Sequence, residues 1–236
     1  VQGEHYCDKW LRLGNLSPPG FDAQPLPAQL PDTRLFVSDS ETLECSQWLQ
    51  ARGLNAGAPL LCIQAGSKRT TRRGQANRAS NSKYWHESNW AELIDAIVEH
   101  LPGVQVMLCG VPAENDMCDA IKVLCSNQGQ VHNVADDLPL RRLLALLSIS
   151  HSCISVDTGP AHAAAALNCP LVVLFGKASP QRFRPVSLDS PVQVIQGFAT
   201  DVLDIGPDSD PDIGHIAVQQ AFAGWCNAIP EALPSQ

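Results

Sequence analysis

The chain has 236 residues, of which 44% are hydrophobic, and a formal net charge of −8 at pH 7. This length and apolar content are sufficient for one large or two small globular domains with a hydrophobic core. No run of 18 apolar residues is present, and the chain does not open with a charged and then apolar signal segment. These features exclude a membrane-spanning protein and predict a cytoplasmic one.

The nine cysteines are an odd number, and none of them stands in a Cys-x-x-Cys pair or at the Cys and His spacing of a zinc site. Three of them, Cys62, Cys109 and Cys153, lie in apolar runs, where a thiol acts as a small hydrophobic side chain. We therefore expect reduced, structural cysteines in a protein of a reducing compartment.

Residues 1–57 are predicted to form two helices joined by a Pro-rich connector. The spacing of apolar residues predicts a short amphipathic helix over residues 6–14, which ends at Gly14. The prolines of the connector are Pro18, Pro19, Pro25, Pro27 and Pro31. A second helix is predicted over residues 40–53, with Ser40 as its cap. The chain begins at Val1, which we expect of a fragment or a processed protein.

From residue 58 onwards the apolar pattern alternates between strands and helices. Predicted strands cover residues 60–63, 104–109, 131–134, 153–156, 171–175 and 192–195. Predicted helices cover residues 90–101, 114–125, 140–147, 161–167 and 215–229. This alternation predicts an α/β fold over residues 58–236, in which helices flank a parallel sheet.

Polar or glycine-containing segments follow three of the predicted strands. They are Gly66-Ser67, Gly110 with Glu114, and Asp157-Thr158-Gly159. In open parallel sheets, ligands bind beyond the carboxyl ends of the strands. We therefore expect these three segments to converge on a single nucleotide site.

The most specific motif lies between a strand and a helix, at residues 155–166. Its Asp-Thr-Gly-Pro turn suits the first turn of a helix, and the alanines that follow let that helix pack close to the sheet. The unpaired N–H groups of the helix N-terminus form an anion site, to which Thr158 and His162 can add side-chain donors. The alternative is an ordinary N-capped helix.

Basic residues are concentrated in one stretch of this acidic protein. Residues 68–83 contain six of the 16 basic residues and no acid: Lys68, Arg69, Arg72, Arg73, Arg78 and Lys83. This stretch is either a solvated loop or a collar for phosphate groups. Nucleic acid is not an expected partner, because no aromatic ladder or known binding module accompanies the basic residues.

Two short segments resemble metal motifs but are predicted not to bind a metal. The first is Asp208-Ser209-Asp210, for which we expect a solvated turn after the last strand, in a Gly- and Pro-containing segment that also holds Asp201, Asp204 and Asp212. The second, His86-Glu87, lacks the second histidine of a zinc protease motif. No metal and no cofactor are therefore predicted.

Two segments of this chain carry a resemblance to a known family. Residues 157–165, Asp-Thr-Gly-Pro-Ala-His-Ala-Ala-Ala, and residues 170–176, Pro-Leu-Val-Val-Leu-Phe-Gly, resemble the signature of bacterial lipopolysaccharide heptosyltransferases of glycosyltransferase family 9. The resemblance extends over residues 58–200. It implies a GT-B fold of two facing Rossmann-like domains, with residues 58–236 as the C-terminal half that binds the nucleotide sugar, normally ADP-heptose. Residues 1–57 would then be an interdomain helix and connector.

The resemblance also implies roles for three residues outside the main motif. Lys83, in a Lys-x-Trp element, would contact the phosphate or sugar of the donor, whereas its alternative is a solvated lysine. Glu114 would accept hydrogen bonds from the ribose hydroxyls, and its alternative is to complement the dipole of the helix that follows. Ser67 completes the donor-binding residues outside the motif.

Within the motif, Thr158, Gly159 and the backbone after Pro160 would contact the diphosphate. Asp157 would orient the turn or bind sugar hydroxyls, and it should point away from the phosphates, which repel a carboxylate. His162 would donate to a phosphate oxygen and help the departing ADP carry its negative charge, although a lone helical histidine often serves packing. Without a metal, the charge of the leaving group must be met by these groups and Lys83.

The implied reaction is transfer of heptose from ADP-heptose to a hydroxyl of the lipid-linked core oligosaccharide in the inner core of lipopolysaccharide. The expected location is the cytoplasm, with peripheral contact at the inner membrane. The general base and the acceptor loop of the family belong to an N-terminal half that we expect to be absent from this chain. A second hypothesis is therefore a stand-alone nucleotide-binding module or inactive remnant, and a more distant third is a sugar-nucleotide epimerase.

Overall fold

A six-stranded parallel β-sheet forms the centre of the protein. The structure is a computed structural model that describes residues 3–16, 20, 33–54, 57–72, 75–76, 81–198 and 211–229. In chain order the elements are α1 (Tyr6–Gly14), α2 (Asp39–Ala51), β1 (Leu60–Gln64), β2 (Thr71–Arg72), β3 (Gln75–Ala76), α3 (Glu87–His100), β4 (Gln105–Leu108), α4 (Asn115–Leu124), β5 (Val131–Asn133), α5 (Leu140–Ile149), β6 (Ser152–Val156), α6 (Gly159–Ala166), β7 (Leu171–Phe175), α7 (Pro180–Phe183), β8 (Val192–Gln196) and α8 (Val218–Ala228).

The strands of the sheet follow the order β5-β4-β1-β6-β7-β8, and every neighbouring pair is parallel. When the separate two-stranded hairpin β2–β3 is set aside, this is the strand order of the Rossmann fold. The α/β, Rossmann-like fold predicted from the sequence is therefore confirmed. On one side of the central pair β1 and β6, the strands follow in the order β4 and β5. On the other side they follow in the order β7 and β8, so the strand order reverses between β1 and β6. In such sheets the crevice at this reversal, beyond the carboxyl ends of β1 and β6, is the usual ligand site.

The sheet separates two hydrophobic clusters, one on each face. Leu61 and Ile63 of β1 belong to one cluster, whereas Leu60 and Cys62 belong to the other, as the alternation of side chains along a strand requires. The first cluster includes buried side chains of α3, α4 and α8, and the second includes those of α2, α5 and α6. Both faces of the sheet are thus covered, which explains why the central strands β4, β1, β6 and β7 are mainly apolar.

Helix α2 is fastened to the second face by a polar cluster as well as by apolar packing. The Trp48 indole donates a hydrogen bond to Asp137 (2.8 Å), and the guanidinium groups of Arg52 and Arg142 lie 4.6 and 5.2 Å from the centre of its ring. The hydrogen bond from Trp48, followed by that from Arg142, lowers the pKa of the Asp137 carboxyl. The predicted division at residue 57 stays a prediction, and α2, which precedes it, packs on the same core as the sheet.

Most predicted elements are confirmed, with ends that differ by a few residues, but two details are wrong. The cap of α2 is Ser38 rather than Ser40, because Ser38 and Glu41 form a reciprocal capping box. The predicted closing helix of residues 215–229 begins only at Val218, since a separate short 3₁₀ turn covers Ile213–His215. The sequence pattern also failed to predict the hairpin β2–β3 and the single-turn helix α7, both too short to show a period.

All nine cysteines lie among the described residues, and each is a free thiol. Burial raises the pKa of Cys45 to about 11 and that of Cys118 to about 12, which keeps both in the unreactive protonated form at neutral pH. The Pro-rich connector and the acidic residues 201–210 predicted from the sequence lie outside the described residues. Within the part of the chain that is described, no helix has both the length and the apolar character needed to cross a bilayer.

Candidate functional site

A cleft of about 680 Å³ opens at the carboxyl ends of β1, β4 and β6. It lies at the point between β1 and β6 where the order of the strands in the sheet reverses. Seven of the eight donor-site residues predicted from the sequence line it: Ser67, Lys83, Glu114, Asp157, Thr158, Gly159 and Pro160. Lys68 and Arg69 of the basic stretch line it too. The side chain of Arg72, together with Arg73 and Arg78, lies outside the described part of the chain. The predicted convergence of three strand ends on one cleft is thus observed.

The N-terminus of α6 borders the cleft and carries an unused hydroxyl. Thr158 occupies the N-cap position in an extended conformation, but its side chain makes no capping hydrogen bond. Its Oγ1 is buried, and among the described residues it has no hydrogen-bond partner. Pro160 has no N–H to satisfy, and the first N–H groups of a helix have no partner within the helix. The Thr158 hydroxyl and the N-terminus of α6 therefore lie together in the wall of the cleft, where both could donate to an acceptor atom of a ligand.

Lys83 and Asp157 form an ion pair at one end of the cleft. The Lys83 ammonium donates to the Asp157 carboxylate (Nζ–Oδ2 2.7 Å) and also to the Asp157 carbonyl oxygen. The lysine is held in place by the neighbouring Trp85, which is buried, donates to the carbonyl of Ile216 (3.1 Å) and meets the ring of Trp90 edge-on at 5.0 Å. The Lys-x-Trp element is thus a loop that is fixed by Trp85 and that holds the Lys83 ammonium in the cleft.

Glu114 lies at the base of the cleft between two glycines. Its side chain packs so closely against Gly66 that a Cβ atom there would overlap the carboxylate, and Gly110 is the neighbour on the other side. Only 3% of the residue is exposed, and its Oε2 accepts a hydrogen bond from the Val111 N–H (3.1 Å). Burial raises the pKa of the Glu114 carboxyl, an effect opposed by the Val111 hydrogen bond and by those from Thr70 and Gln64.

Replacing this carboxyl by an amide is expected to stabilise the chain in a pH-dependent way. Because the folded-state pKa of Glu114 is raised above 4.5, the folded chain holds this proton more tightly than the unfolded chain. Wild-type stability therefore declines as pH rises from 4.5 through the raised pKa, and Glu114→Gln removes that decline. Urea unfolding at pH 4.5 and pH 8 should give a free-energy difference, variant minus wild type, that increases with pH.

The matched control for this experiment is Glu99→Gln, which changes an exposed carboxylate on α3. Its difference from wild type at each pH is the reference with which the Glu114→Gln difference is compared. A Glu114→Gln difference that stays constant, or decreases as pH rises, would contradict the raised pKa of this buried carboxyl.

The opposite end of the cleft is apolar. Four aliphatic side chains line it: Val111, Leu138, Leu140 and Leu143. Two of them, Val111 and Leu140, are largely exposed, which leaves them free to cover a flat apolar group. From the sequence, the leucines near Leu138 are candidates to line a pocket for the base, and Leu138, Leu140 and Leu143 do line this cleft.

Two further cavities adjoin the cleft. A polar pocket of about 470 Å³ shares Arg69, Lys83 and Asp157 with the cleft and continues past the end of β7 to Lys177 and Phe183. A second cavity of about 720 Å³ shares Gly159 with the cleft and lies against the other side of α6.

His162 is the predicted site residue that does not line the cleft, because its side chain lines the second cavity. It lies one helical turn after Gly159, the residue of α6 that lines both the cleft and the second cavity. Partial desolvation of the imidazole lowers the pKa of His162, and the nearby Asp157 carboxylate opposes this effect. Among the described residues, no group of three or more His, Cys, Asp or Glu side chains is arranged to hold a metal ion.

The family model for glycosyltransferase family 9 (heptosyltransferase) matches residues 63–196, which begin near the end of β1 and include the cleft and the sheet as far as the end of β8. The chain belongs to glycosyltransferase family 9. Lipopolysaccharide heptosyltransferase 2 of Escherichia coli K12 is 29% identical over 180 residues, which cover 75% of this chain and 47% of the relative. Lipopolysaccharide heptosyltransferase 3 of Escherichia coli is 33% identical over 106 residues, or 44% of this chain and 31% of the relative. This family 9 chain thus spans about half the length of the first relative and about a third of the length of the second.

Solved structures of family 9 proteins share the fold. The structure of E. coli ADP-heptose lipopolysaccharide heptosyltransferase II has a TM-score of 0.67 and 24% identity, over 86% of this chain and 55% of that one. A family 9 glycosyltransferase from Veillonella parvula has a TM-score of 0.69 and 17% identity, over 95% of this chain and 60% of the other. The sheet and its flanking helices are therefore those of a family 9 protein.

Proposed function

We propose that this chain is the donor-binding, C-terminal half of a GT-B heptosyltransferase. Its substrate would be ADP-heptose, and the transferred heptose would go to a lipid-linked core oligosaccharide of the lipopolysaccharide inner core. The family to which the chain belongs and the names of its relatives support the reaction class. The geometry of the cleft supports the proposal that this chain binds the donor in that reaction.

The cleft offers three successive environments that match the parts of a nucleoside diphosphate. The aliphatic end suits a flat base, and the buried Glu114 with the neighbouring Gly66–Ser67 loop suits ribose hydroxyls. The N-terminus of α6 with Lys83 suits the diphosphate, because helix N–H groups and an ammonium both favour anionic oxygen. The volume of about 680 Å³ is within the usual size of small-molecule sites.

The observation that carries the proposal is the buried, unpartnered hydroxyl of Thr158 at the start of α6. Leaving a buried polar group unpaired costs about 1–3 kcal/mol, so native proteins retain such groups where a ligand or water completes them. A phosphate oxygen placed over the helix N-terminus would accept from this hydroxyl and from the helix N–H groups together.

The sugar of the donor would extend into the polar pocket beside Asp157. A carboxylate at this position can accept hydrogen bonds from sugar hydroxyls, while its pairing with Lys83 keeps it from repelling the diphosphate. In the transfer step an acceptor hydroxyl would attack the anomeric carbon as the bond to the ADP oxygen breaks. The charge that develops on ADP would be stabilised by Lys83 and the N-terminus of α6. The acceptor proton would pass to a general base outside these residues.

Four predicted features remain proposals. A contact between His162 and phosphate stays a prediction, since its side chain lines the neighbouring cavity. The lipid-linked acceptor, a cytoplasmic location and peripheral contact with the inner membrane follow from the proposed reaction alone. The alternative, a nucleotide-binding module without transfer, is kept open by the length of the chain, about half that of its first relative.

Calorimetric titration with ADP, UDP and GDP, in EDTA and again with Mg²⁺, tests the proposal. We expect micromolar to millimolar binding that is tightest for ADP and does not require Mg²⁺. Thr158→Val keeps the shape of the side chain but removes its hydroxyl, and should weaken ADP binding about 10-fold, the value of one hydrogen bond to a charged group. The same variant should not be less stable than wild type, because it also removes a buried unpaired hydroxyl.

The matched control is Thr42→Val, whose hydroxyl bonds a backbone carbonyl within α2, away from the cleft. It should leave ADP affinity unchanged. Failure of wild type to bind any of the three nucleotides would contradict a donor-binding half, and tighter binding of UDP or GDP would overturn the assignment to ADP-heptose.

A further inference from the structure

The second cavity is built from four separate parts of the chain around one side of α6. Its volume is about 720 Å³. The lining comes from the start of α1, the extended segment before α2, four residues of α6, and α7 with the residues that follow it. The backbone ties these parts together, since Leu35 N–H donates to the Ala166 carbonyl (3.0 Å) and the His5 imidazole bonds the Arg184 carbonyl (3.1 Å). The cavity is therefore a defined part of the fold.

The charged residues that line this cavity are all basic. Arg182 and Arg184 are exposed, and neither forms an ion pair with any acid in the described part of the chain. His5 and His162 add two imidazoles, and no Asp or Glu is among the described lining residues. The protein has a net charge of −8, so two guanidinium groups without an ion-pair partner in the described residues, both at one cavity, make this cavity locally positive. Arg is the side chain best suited to hold a carboxylate or phosphate through paired hydrogen bonds.

The rest of the lining is mainly apolar and includes two aromatic rings. The rings of Tyr6 and Phe183 lie 5.0 Å apart between their centres, at 31° to each other. The guanidinium of Arg182 stands 5.5 Å from the Phe183 ring and 6.0 Å from the Tyr6 ring. A small inorganic anion would use the guanidinium groups but leave the rings uncovered. A ligand that satisfies both parts needs an anionic group and an apolar face, and a sugar ring that carries a carboxylate or phosphate has both.

The position of the cavity relates it to the proposed donor site. The cleft for the nucleotide and the polar pocket for the donor sugar are contiguous through Lys83 and Asp157. The polar pocket meets the second cavity at Phe183, and the cleft meets it at Gly159. The second cavity is thus adjacent to the place where the donor sugar would be transferred.

We propose that the second cavity binds an anionic sugar of the acceptor, with Arg182 and Arg184 holding its carboxylate or phosphate and Tyr6 and Phe183 covering its ring. The role as an acceptor site rests on the proposed function. This half of the protein then contributes to acceptor recognition as well as to donor binding.

The test uses the intact chain with ¹³C-methyl-labelled alanine and four probes: D-glucuronate, D-glucose 6-phosphate, D-glucose and inorganic phosphate. Ala163 and Ala166 line the cavity, so their methyl resonances report its occupation, whereas Ala228 on α8 serves as a distant reference. We expect glucuronate or glucose 6-phosphate to shift the first two resonances in a saturable manner and glucose to shift neither. Arg182→Gln and Arg184→Gln should each weaken this binding about 10-fold, as expected for the loss of a charged hydrogen bond.

Lys122→Gln is the matched control, because it removes one positive charge at a residue of α4 that lines none of the three cavities. It should leave the response to the anionic sugars unchanged. Equal responses to glucose and the anionic sugars would overturn the proposal, as would phosphate binding as tightly as glucose 6-phosphate, or loss of binding in Lys122→Gln.

An ADP titration of the same wild-type sample separates this inference from the proposed function. ADP binding without any response to the anionic sugars would overturn the inference and leave the donor site standing. A response to the anionic sugars without ADP binding would overturn the acceptor role of the cavity, because that role needs a donor site beside it.

Discussion

Replacing Lys83 by methionine is expected to weaken ADP binding about 100-fold, since a charged hydrogen bond to phosphate is worth about 1.5–3 kcal/mol. The loss should be at the upper end of that range for a reason specific to this structure. The Lys83 ammonium is also the ion-pair partner of Asp157, at 2.7 Å. Without it, the Asp157 carboxylate would be uncompensated beside the proposed position of the diphosphate and would repel it. Calorimetric titration of the variant with ADP measures the effect.

The second half of this prediction is a double-mutant cycle. Lys83→Met combined with Asp157→Asn removes the repelling carboxylate as well, so the double variant should bind ADP about 10-fold more tightly than Lys83→Met alone. Lys122→Met is the matched control on α4 and should bind ADP as wild type does. Strictly additive effects of the two substitutions would contradict the view that Asp157 acts on the donor through its pairing with Lys83.

Replacing Gly176 by alanine is expected to lower the free energy of unfolding by about 3 kcal/mol, the upper part of the range for overpacking in a protein interior. Gly176 follows β7, and a Cβ atom there would overlap the backbone carbonyl oxygen of Ser82 and come within 3.2 Å of the Ile213 nitrogen. Both neighbours are backbone atoms, so no side chain can turn away to make room. Urea unfolding of the variant and wild type measures the difference.

The same substitution should also weaken ADP binding, because Ser82 precedes the lysine of the cleft and a shift of this loop moves the Lys83 ammonium away from Asp157. Gly129→Ala is the matched control, since a Cβ atom at that position meets no heavy atom within 4 Å. Its stability should stay within about 0.5 kcal/mol of wild type. A Gly176→Ala variant as stable as Gly129→Ala would show that the two segments do not approach as closely as described.

The central strands β1, β4, β6 and β7 were predictable because each is a short, mainly apolar run between residues that end regular structure. The strand Leu171–Phe175, between Pro170 and Gly176, was predicted with its ends correct. The gathering of the site residues at one edge was predictable for a related reason, because parallel strands bring their carboxyl ends together. Periodicity and turn residues therefore determined both the fold class and the position of the cleft.

What the sequence did not reveal depends on contacts between distant segments. The pairing of Lys83 with Asp157 joins residues that lie in different loops, and no local pattern encodes it. Spacing along α6 could not decide which side of the helix His162 would occupy, because two cavities flank the same short helix. The cap of α2 is a different kind of error: Ser38 and Ser40 are both good caps, and the position of Glu41 three residues after Ser38 was the decisive local signal.

The place of β1 in the sheet has a consequence for how the chain acquires its structure. On one side β1 pairs with β4, which follows soon afterwards, but its other partner is β6, which begins only at Ser152. During synthesis, the backbone groups on that side of an almost wholly apolar strand stay unpaired until residues 152–156 have emerged. Unpaired strand edges of this kind invite pairing with other chains, and sheets closed by such distant partners fold slowly. One side of β1 is thus an unpaired strand edge until β6 has been synthesised, although β1 lies at the centre of the sheet in the folded protein.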